Sequence, residues 1–105
     1  MRIGSEEQKL RQSIVGTFLK AARERAGITQ HALATQLSYT SPQFISNWER
    51  GQSLPPLDML PRLSRILHVS AREMIDVLSE YQDEILKLQK KQLRELFRGQ
   101  MKRAR

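Results

Sequence analysis

Between Gly27 and Ser70, helix stops and helix starts follow one another so closely that only short helices fit between them. Gly27 stops a first helix, as glycine does just past a C-terminus, and Thr29 is a good N-cap for the second. Ile28 and Leu33 are spaced as a hydrophobic staple across that start. Ser38-Tyr39-Thr40 makes a short polar turn. Ser41 can then cap a third helix with Pro42 at its first position, where the missing N–H is harmless, and Gly51 ends it. Pro55-Pro56 cannot be helix interior. Asp58 is the best cap for a fourth helix, and that choice leaves Pro61 in the first turn, where no intrahelical N–H is lost. Ser70 with Glu73 forms a capping box, with Val69 and Met74 as its staple.

Upstream, Ser5 with Gln8 reads as another capping box, and Leu10, Ile14, Phe18, Leu19 and Ala22 recur at helical spacing. The well-packed part begins near Ser13. The remaining inner faces read as Leu33, Ala34 and Leu37, then Leu60, Leu63, Ile66 and Leu67, then Met74, Ile75 and Leu78. No alternating strand and no Asn-Gly or Asp-Gly hairpin is present. The expected fold is all-α: a five-helix domain over residues 1–78, with its core at 13–78, and a C-terminal amphipathic helix over 79–105.

Composition narrows the function classes. Lysine and arginine number 18 against 11 acids, a formal net charge of +7, which favours a polyanionic partner. There is no cysteine, so disulfides, thiolate metal sites and a cysteine nucleophile are excluded. The first residues hold no apolar run of signal-peptide length, and no stretch is long enough to span a bilayer. The expected location is the cytoplasm. His31 and His68 lack metal-ligand spacing, no serine stands in a nucleophile-elbow pattern, and the five glycines form no phosphate loop. The reading is therefore a chain with no catalytic residue, no metal and no cofactor.

The third helix carries the sharpest pattern. At about 100° per residue, Gln43, Ser46, Asn47 and Arg50 share one arc, while Phe44, Ile45, Trp48 and Glu49 fall on the other side. An anchored face thus opposes a face of amides, a hydroxyl and a guanidinium. Glutamine or asparagine can bind adenine N6 and N7 together, and arginine can bind guanine O6 and N7. Glu49 lies on the packed side, where a carboxylate needs a partner. Arg23, near the end of the first helix, can supply a planar bidentate one.

Gly27-Ile28-Thr29-Gln30, Leu33-Ala34-Thr35-Gln36-Leu37 and Ile45-Ser46-Asn47-Trp48-Glu49-Arg50-Gly51, followed by Pro55, Leu57, Leu60, Leu63, Leu67, Val69 and Ser70, together resemble the repressor/Cro-type helix-turn-helix family. The likeness covers roughly residues 13–78. It implies a sequence-specific, DNA-binding transcriptional regulator, a repressor, whose third helix enters the major groove of double-stranded DNA. It implies that Gln43 and Asn47 touch bases, with Ser46 and Arg50 beside them. It implies that Gln30, together with Thr29 and Ser41 at the helix starts, meets phosphate, and that Arg23 and Glu49 form a structural ion pair. The turn Ser38-Tyr39-Thr40-Ser41 is one residue longer than the commonest version. Pro42 replaces a side chain that often reads a base, and His68 stands where glycine usually ends the fourth helix.

Residues 79–105 lie beyond the resemblance. Leu78, Tyr81, Ile85, Leu88, Leu93 and Leu96 make a broad apolar stripe, with Leu86 and Phe97 alongside. The segment either continues the fifth helix or starts afresh at Ser79 and Gln82. It either folds back on its own domain, pairs two copies into a homodimer through Ile85, Leu88, Leu93 and Leu96, or grips a protein partner, as in an antitoxin. Lys87, Lys90, Lys91, Arg94 and Arg98 give it a basic outer face, and the tail Met101–Arg105 is expected to fray.

Overall fold

A computed structural model describes residues 3–103. It contains helices α1 (Ile3–Arg11), α2 (Thr17–Arg25), α3 (Gln30–Gln36), α4 (Gln43–Glu49), α5 (Leu60–Ile66), α6 (Ala71–Leu96) and α7 (Arg98–Arg103). No strand occurs among the described residues, and the all-α expectation holds.

The first expected helix is a rod of three parts. A π-helical turn, Gln12–Gly16, joins α1 to α2 without leaving helical backbone angles. Both the N–H and the hydroxyl of Thr17 donate to the Gln12 carbonyl, the hydroxyl at 3.1 Å. A π turn inserts a residue and rotates everything that follows. Val15, which the regular stripe left out, is therefore fully buried with Leu19, Ala22 and Arg23, while Ile14 and Phe18 are only half-buried. Ser5 lies inside α1 and caps nothing, because the helix already runs from Ile3.

Two glycines explain where the π turn sits. A Cβ on Gly16 would collide with the Glu49 carbonyl oxygen and stand 2.9 Å from its carbon and 3.0 Å from the Trp48 carbonyl oxygen. A Cβ on Gly51 would stand 2.5 Å from the Gln12 nitrogen. Backbone therefore packs directly on backbone where the first rod crosses α4. Gly51 also has φ +76°, and Gly27 has φ +73°, left-handed geometry that glycine adopts at no steric cost.

The downstream starts are mostly as read. The Thr29 hydroxyl oxygen accepts from the Ala32 N–H at 3.0 Å, and Ser70 with Glu73 forms a complete capping box. The start of α4 is shifted by one: Pro42, not Ser41, is its N-cap, and the Pro42 carbonyl accepts the first intrahelical bond, while Ser41 Oγ accepts from the Gln43 N–H at 3.3 Å just outside the helix. Asp58 is a correction. It lies in a 3₁₀ turn, Leu57–Met59, and its side chain caps nothing; α5 begins at Leu60 with Pro61 in its first turn. His68 takes φ +56°, the left-handed closure, and so does Ser38 at φ +66°, which ends α3 in place of a glycine.

The fifth helix does not stop at Leu78. α6 runs 26 residues to Leu96 with no break at Ser79, so continuation is the correct alternative. The core likewise extends to Tyr81. Ile75 is 61 % exposed, against the expectation that it faces inward. At about 100° per residue it lies some 100° from Met74, which is buried. The molecule is elongated, 57 × 26 × 21 Å, because the second half of α6 projects beyond the five-helix body. α1 lies antiparallel along it: Arg11 is beside Tyr81, and Glu7 shares a shallow groove with Gln89 and Gln92.

Arg11 locks this junction. Its Nε donates to the Tyr81 hydroxyl at 3.1 Å, and one terminal nitrogen donates to the Gly51 carbonyl at 3.0 Å and to that of Gln52 at 3.4 Å. A cation thus satisfies carbonyls just past the C-terminus of α4, where the helix dipole favours positive charge. Hydrogen bonds to charged groups contribute about 1.5–3 kcal/mol. Tyr81→Phe should therefore cost about 1–2 kcal/mol in thermal unfolding, and Arg11→Met more, because all three hydrogen bonds are lost together. Equal melting temperatures for wild type and Tyr81→Phe would show that the hydroxyl contact carries nothing.

Candidate nucleic-acid interface

α4 is held from behind and exposed in front. Ile45 and Trp48 are 1 % and 2 % exposed, and burying two such side chains fixes the helix against rotation. Phe44, on the same side of the helix, is half exposed. It stacks on Tyr39 with ring centroids 4.7 Å apart, and Tyr39 meets Trp48 edge-on at 5.9 Å. The longer turn therefore has a structural use: its Tyr39 roofs the start of α4. Burial, and secondarily the nearby Asp58, pushes the Tyr39 hydroxyl pKa up, and that hydroxyl donates to the Met59 sulfur at 3.4 Å.

Glu49 is the second anchor. Its Oε2 accepts from Arg23 Nε at 2.6 Å, and its Oε1 accepts from another Arg23 nitrogen at 3.1 Å and from the Gln30 amide at 2.9 Å. Arg23 also donates to the Ile28 carbonyl at 2.9 Å. Both partners are at least nine-tenths buried. Hydrogen bonding to Glu49 holds the Arg23 guanidinium pKa above its usual value against the opposing effect of burial. One carboxylate thereby ties α2, α3 and α4 together, and no buried side-chain polar atom among the described residues lacks a partner.

On the front face, Asn47 is a hub. Its Oδ1 accepts from the Gln43 amide at 2.8 Å and from Arg50 at 3.2 Å. The structure thus brings Gln43, Asn47 and Arg50 into one exposed network. Ser46, half-buried, stands beside them on a groove of about 460 Å³ also lined by Gln12, Thr17, Lys20, Gln30 and Arg50. Thr29 and Ser41 are both exposed at helix starts. Each hydroxyl oxygen already accepts one backbone N–H, which leaves its proton free to donate outward.

Sequence reasoning missed Gly16, Arg11 and Tyr39, which position α4 without facing outward. A glycine in mid-helix, costly by roughly 0.5–1 kcal/mol relative to alanine, was the available signal for Gly16. The four expected pairing residues separate into two kinds. Ile85 and Leu88 are partly covered within the chain, whereas Leu93 and Leu96 are 54 % and 59 % exposed. Of the tail, Arg98–Arg103 is helical; Ala104 and Arg105 lie outside the described residues, as do the side chains from Met101 onward. No helix among the described residues is long and apolar enough to cross a membrane, and none of them form an acidic or histidine cluster able to hold a metal.

The family model described as Helix-turn-helix matches residues 19–74, from α2 into α6. A protein of Methanococcoides burtonii, described as "Putative HTH-type transcriptional regulatory protein", is 34% identical over 73 residues, which are 70% of this chain and 22% of that protein. The chain therefore corresponds to only about a fifth of that relative's length. No solved structure matches. With the family model covering more than half of the chain, and α3, the turn and α4 in their places within it, the chain belongs to the repressor/Cro-type helix-turn-helix family.

Proposed function

We propose that this chain is a sequence-specific DNA-binding transcriptional regulator that represses by occupying a promoter in the cytoplasm, acts as a homodimer, and uses no cofactor or catalysis. The observation that carries the reading is the Gln43–Asn47–Arg50 network on the exposed face of a helix whose rear is locked by Ile45, Trp48 and Glu49. Such a helix presents donors and acceptors at a fixed angle, which base readout in the major groove requires. In the free protein the three side chains satisfy one another. On DNA they exchange these bonds for base edges, Gln43 and Asn47 at adenine and Arg50 at guanine, with Ser46 beside them. Gln30, Thr29 and Ser41 donate to phosphates and set the register. The name of the 34%-identical relative supports the regulatory part.

The test is a titration of Gln43→Ala on the preferred duplex and on random duplex. The loss on the preferred site should be about 1–3 kcal/mol, with relaxed preference at one base position. Equal loss on both duplexes would place Gln43 on phosphate instead and contradict base reading.

A further inference from the structure

The projecting helix α6 carries a second seam that its own chain leaves uncovered. At about 100° per residue, Met74, Tyr81, Ile85, Leu88 and Gln92 point toward the body and α1. Ile75, Ser79, Gln82, Leu86, Leu93 and Phe97 fall in a separate arc about 60° wide, and the four apolar members are 50–61 % exposed. Steps of four and three residues recur along and beside it, Ile75, Ser79, Gln82, Leu86, Gln89, Leu93 and Leu96, the spacing by which two helices pair, with apolar side chains at four of the seven positions.

Charge says what covers it. α6 is net acidic in its first half, where Glu73, Asp76, Glu80, Asp83 and Glu84 outnumber Arg72, and net basic thereafter, where Lys87, Lys90, Lys91, Arg94 and, just beyond its end, Arg98 outnumber Glu95. A parallel copy would set like charge on like. An antiparallel copy sets acidic half on basic half. The charges beside the seam, Asp76, Asp83, Lys90 and Arg94, occupy one flank and are all exposed. With a two-fold axis at Leu86, Asp83 and Lys90 lie three and four residues to either side, so each meets the other across the axis. Asp76 and Arg94 do the same at ten and eight residues.

The same register places Ile75 and Phe97 eleven residues to either side of the axis. Ile75 lines an apolar groove of about 410 Å³ between α5 and the start of α6, with Leu60, Val69, Met74 and Leu78. That groove is where the second copy's Phe97 arrives. We infer that α6 forms an antiparallel homodimer centred on Leu86, with Phe97 of each copy seated in the groove beside Ile75 of the other. This extends the dimeric reading above and takes from it only that the occupant is a second copy.

The absence of cysteine makes the test clean. Leu86 and Leu93 are both half-exposed, so cysteine at either leaves the core intact. In the full-length chain, without DNA, light scattering should give a dimer at micromolar concentration. Leu86→Cys should cross-link to itself on mild oxidation, since a disulfide needs Cβ atoms about 4 Å apart. Leu93→Cys should not, but should cross-link in a mixture with Ser79→Cys. Asp83→Lys should weaken the dimer several-fold, and adding Lys90→Asp should restore it. A monomer, or Leu93→Cys linking to itself as readily as Leu86→Cys, would overturn the inference. A monomer that still selects a DNA site would leave reading by α4 intact, and a correctly cross-linked dimer with no DNA preference would do the reverse.

Discussion

Gly16→Ala should unfold this domain at a markedly lower temperature and abolish DNA binding with it. A methyl group there meets the carbonyl of Glu49 and the neighbouring Trp48 oxygen, both main-chain atoms of the reading helix. Backbone cannot turn aside as a flexible side chain can, so either the rod or α4 must move. Overpacking of this kind costs typically about 1–3 kcal/mol, occasionally more. Replacing glycine in a helix returns only about 0.5–1 kcal/mol. The net loss should be about 1–2 kcal/mol, a fall in melting temperature of roughly 4–16 °C in a domain of this size. Gly4→Ala is the control: nothing lies within 4 Å of that site, in the same rod, and the change should be neutral or slightly stabilising. Calorimetry on the two variants checks both statements, and similar melting shifts would show that the close approach of α2 to α4 is not what glycine provides.

The second large effect lies at Arg23 and Glu49. Breaking a buried, hydrogen-bonded pair by removing one partner strands a charge and costs about 3–5 kcal/mol. Arg23→Met leaves the Glu49 carboxylate with only the Gln30 amide, and Glu49→Leu leaves the guanidinium with only the Ile28 carbonyl. The double variant strands neither, so it should be less destabilised than the sum of the two by more than about 1 kcal/mol. Because Glu49 ends α4, each single variant should also weaken operator binding beyond what its lowered stability explains. Additive melting shifts in the cycle would contradict the coupling.

These sites differ in how far the sequence discloses them. The ends of α3, α4 and the start of α6 were legible because cap residues act locally: Thr29, Gly51, Ser70 and Glu73 each bond within a few positions of themselves. The face of α4 was legible because helical periodicity sorts side chains without knowing what they pack on. The first rod was misread at Val15, and there the cause is tertiary. The π turn lies where Gly16 and Gly51 sit against backbone, and apart from the mid-helix Gly16 nothing near Gln12 in the sequence announces α4. Asp58 was misplaced as a cap because a 3₁₀ turn after Pro55-Pro56 delivers the chain to α5 without a side-chain acceptor. Arg11 bonds carbonyls 40 and 41 positions away, a contact no local pattern carries. The stripe on α6 was visible as one broad face. Only the packing of α1 along it separates the covered residues, Ile85 and Leu88, from the open ones, Leu86, Leu93 and Phe97.

Selection of bound sequences from random double-stranded DNA tests most directly whether the exposed face of α4 reads bases. The intact chain should enrich a defined motif with adenine and guanine at the positions facing Gln43, Asn47 and Arg50, arranged as two related half-sites. The Gln43→Ala, Asn47→Ala chain, with α4 still anchored by Ile45, Trp48 and Glu49, should fold, bind DNA more weakly and lose the adenine positions of the motif, keeping only the guanine that faces Arg50. Recovery of unbiased sequence by the intact chain, or of the same motif by the doubly substituted one, would contradict the account.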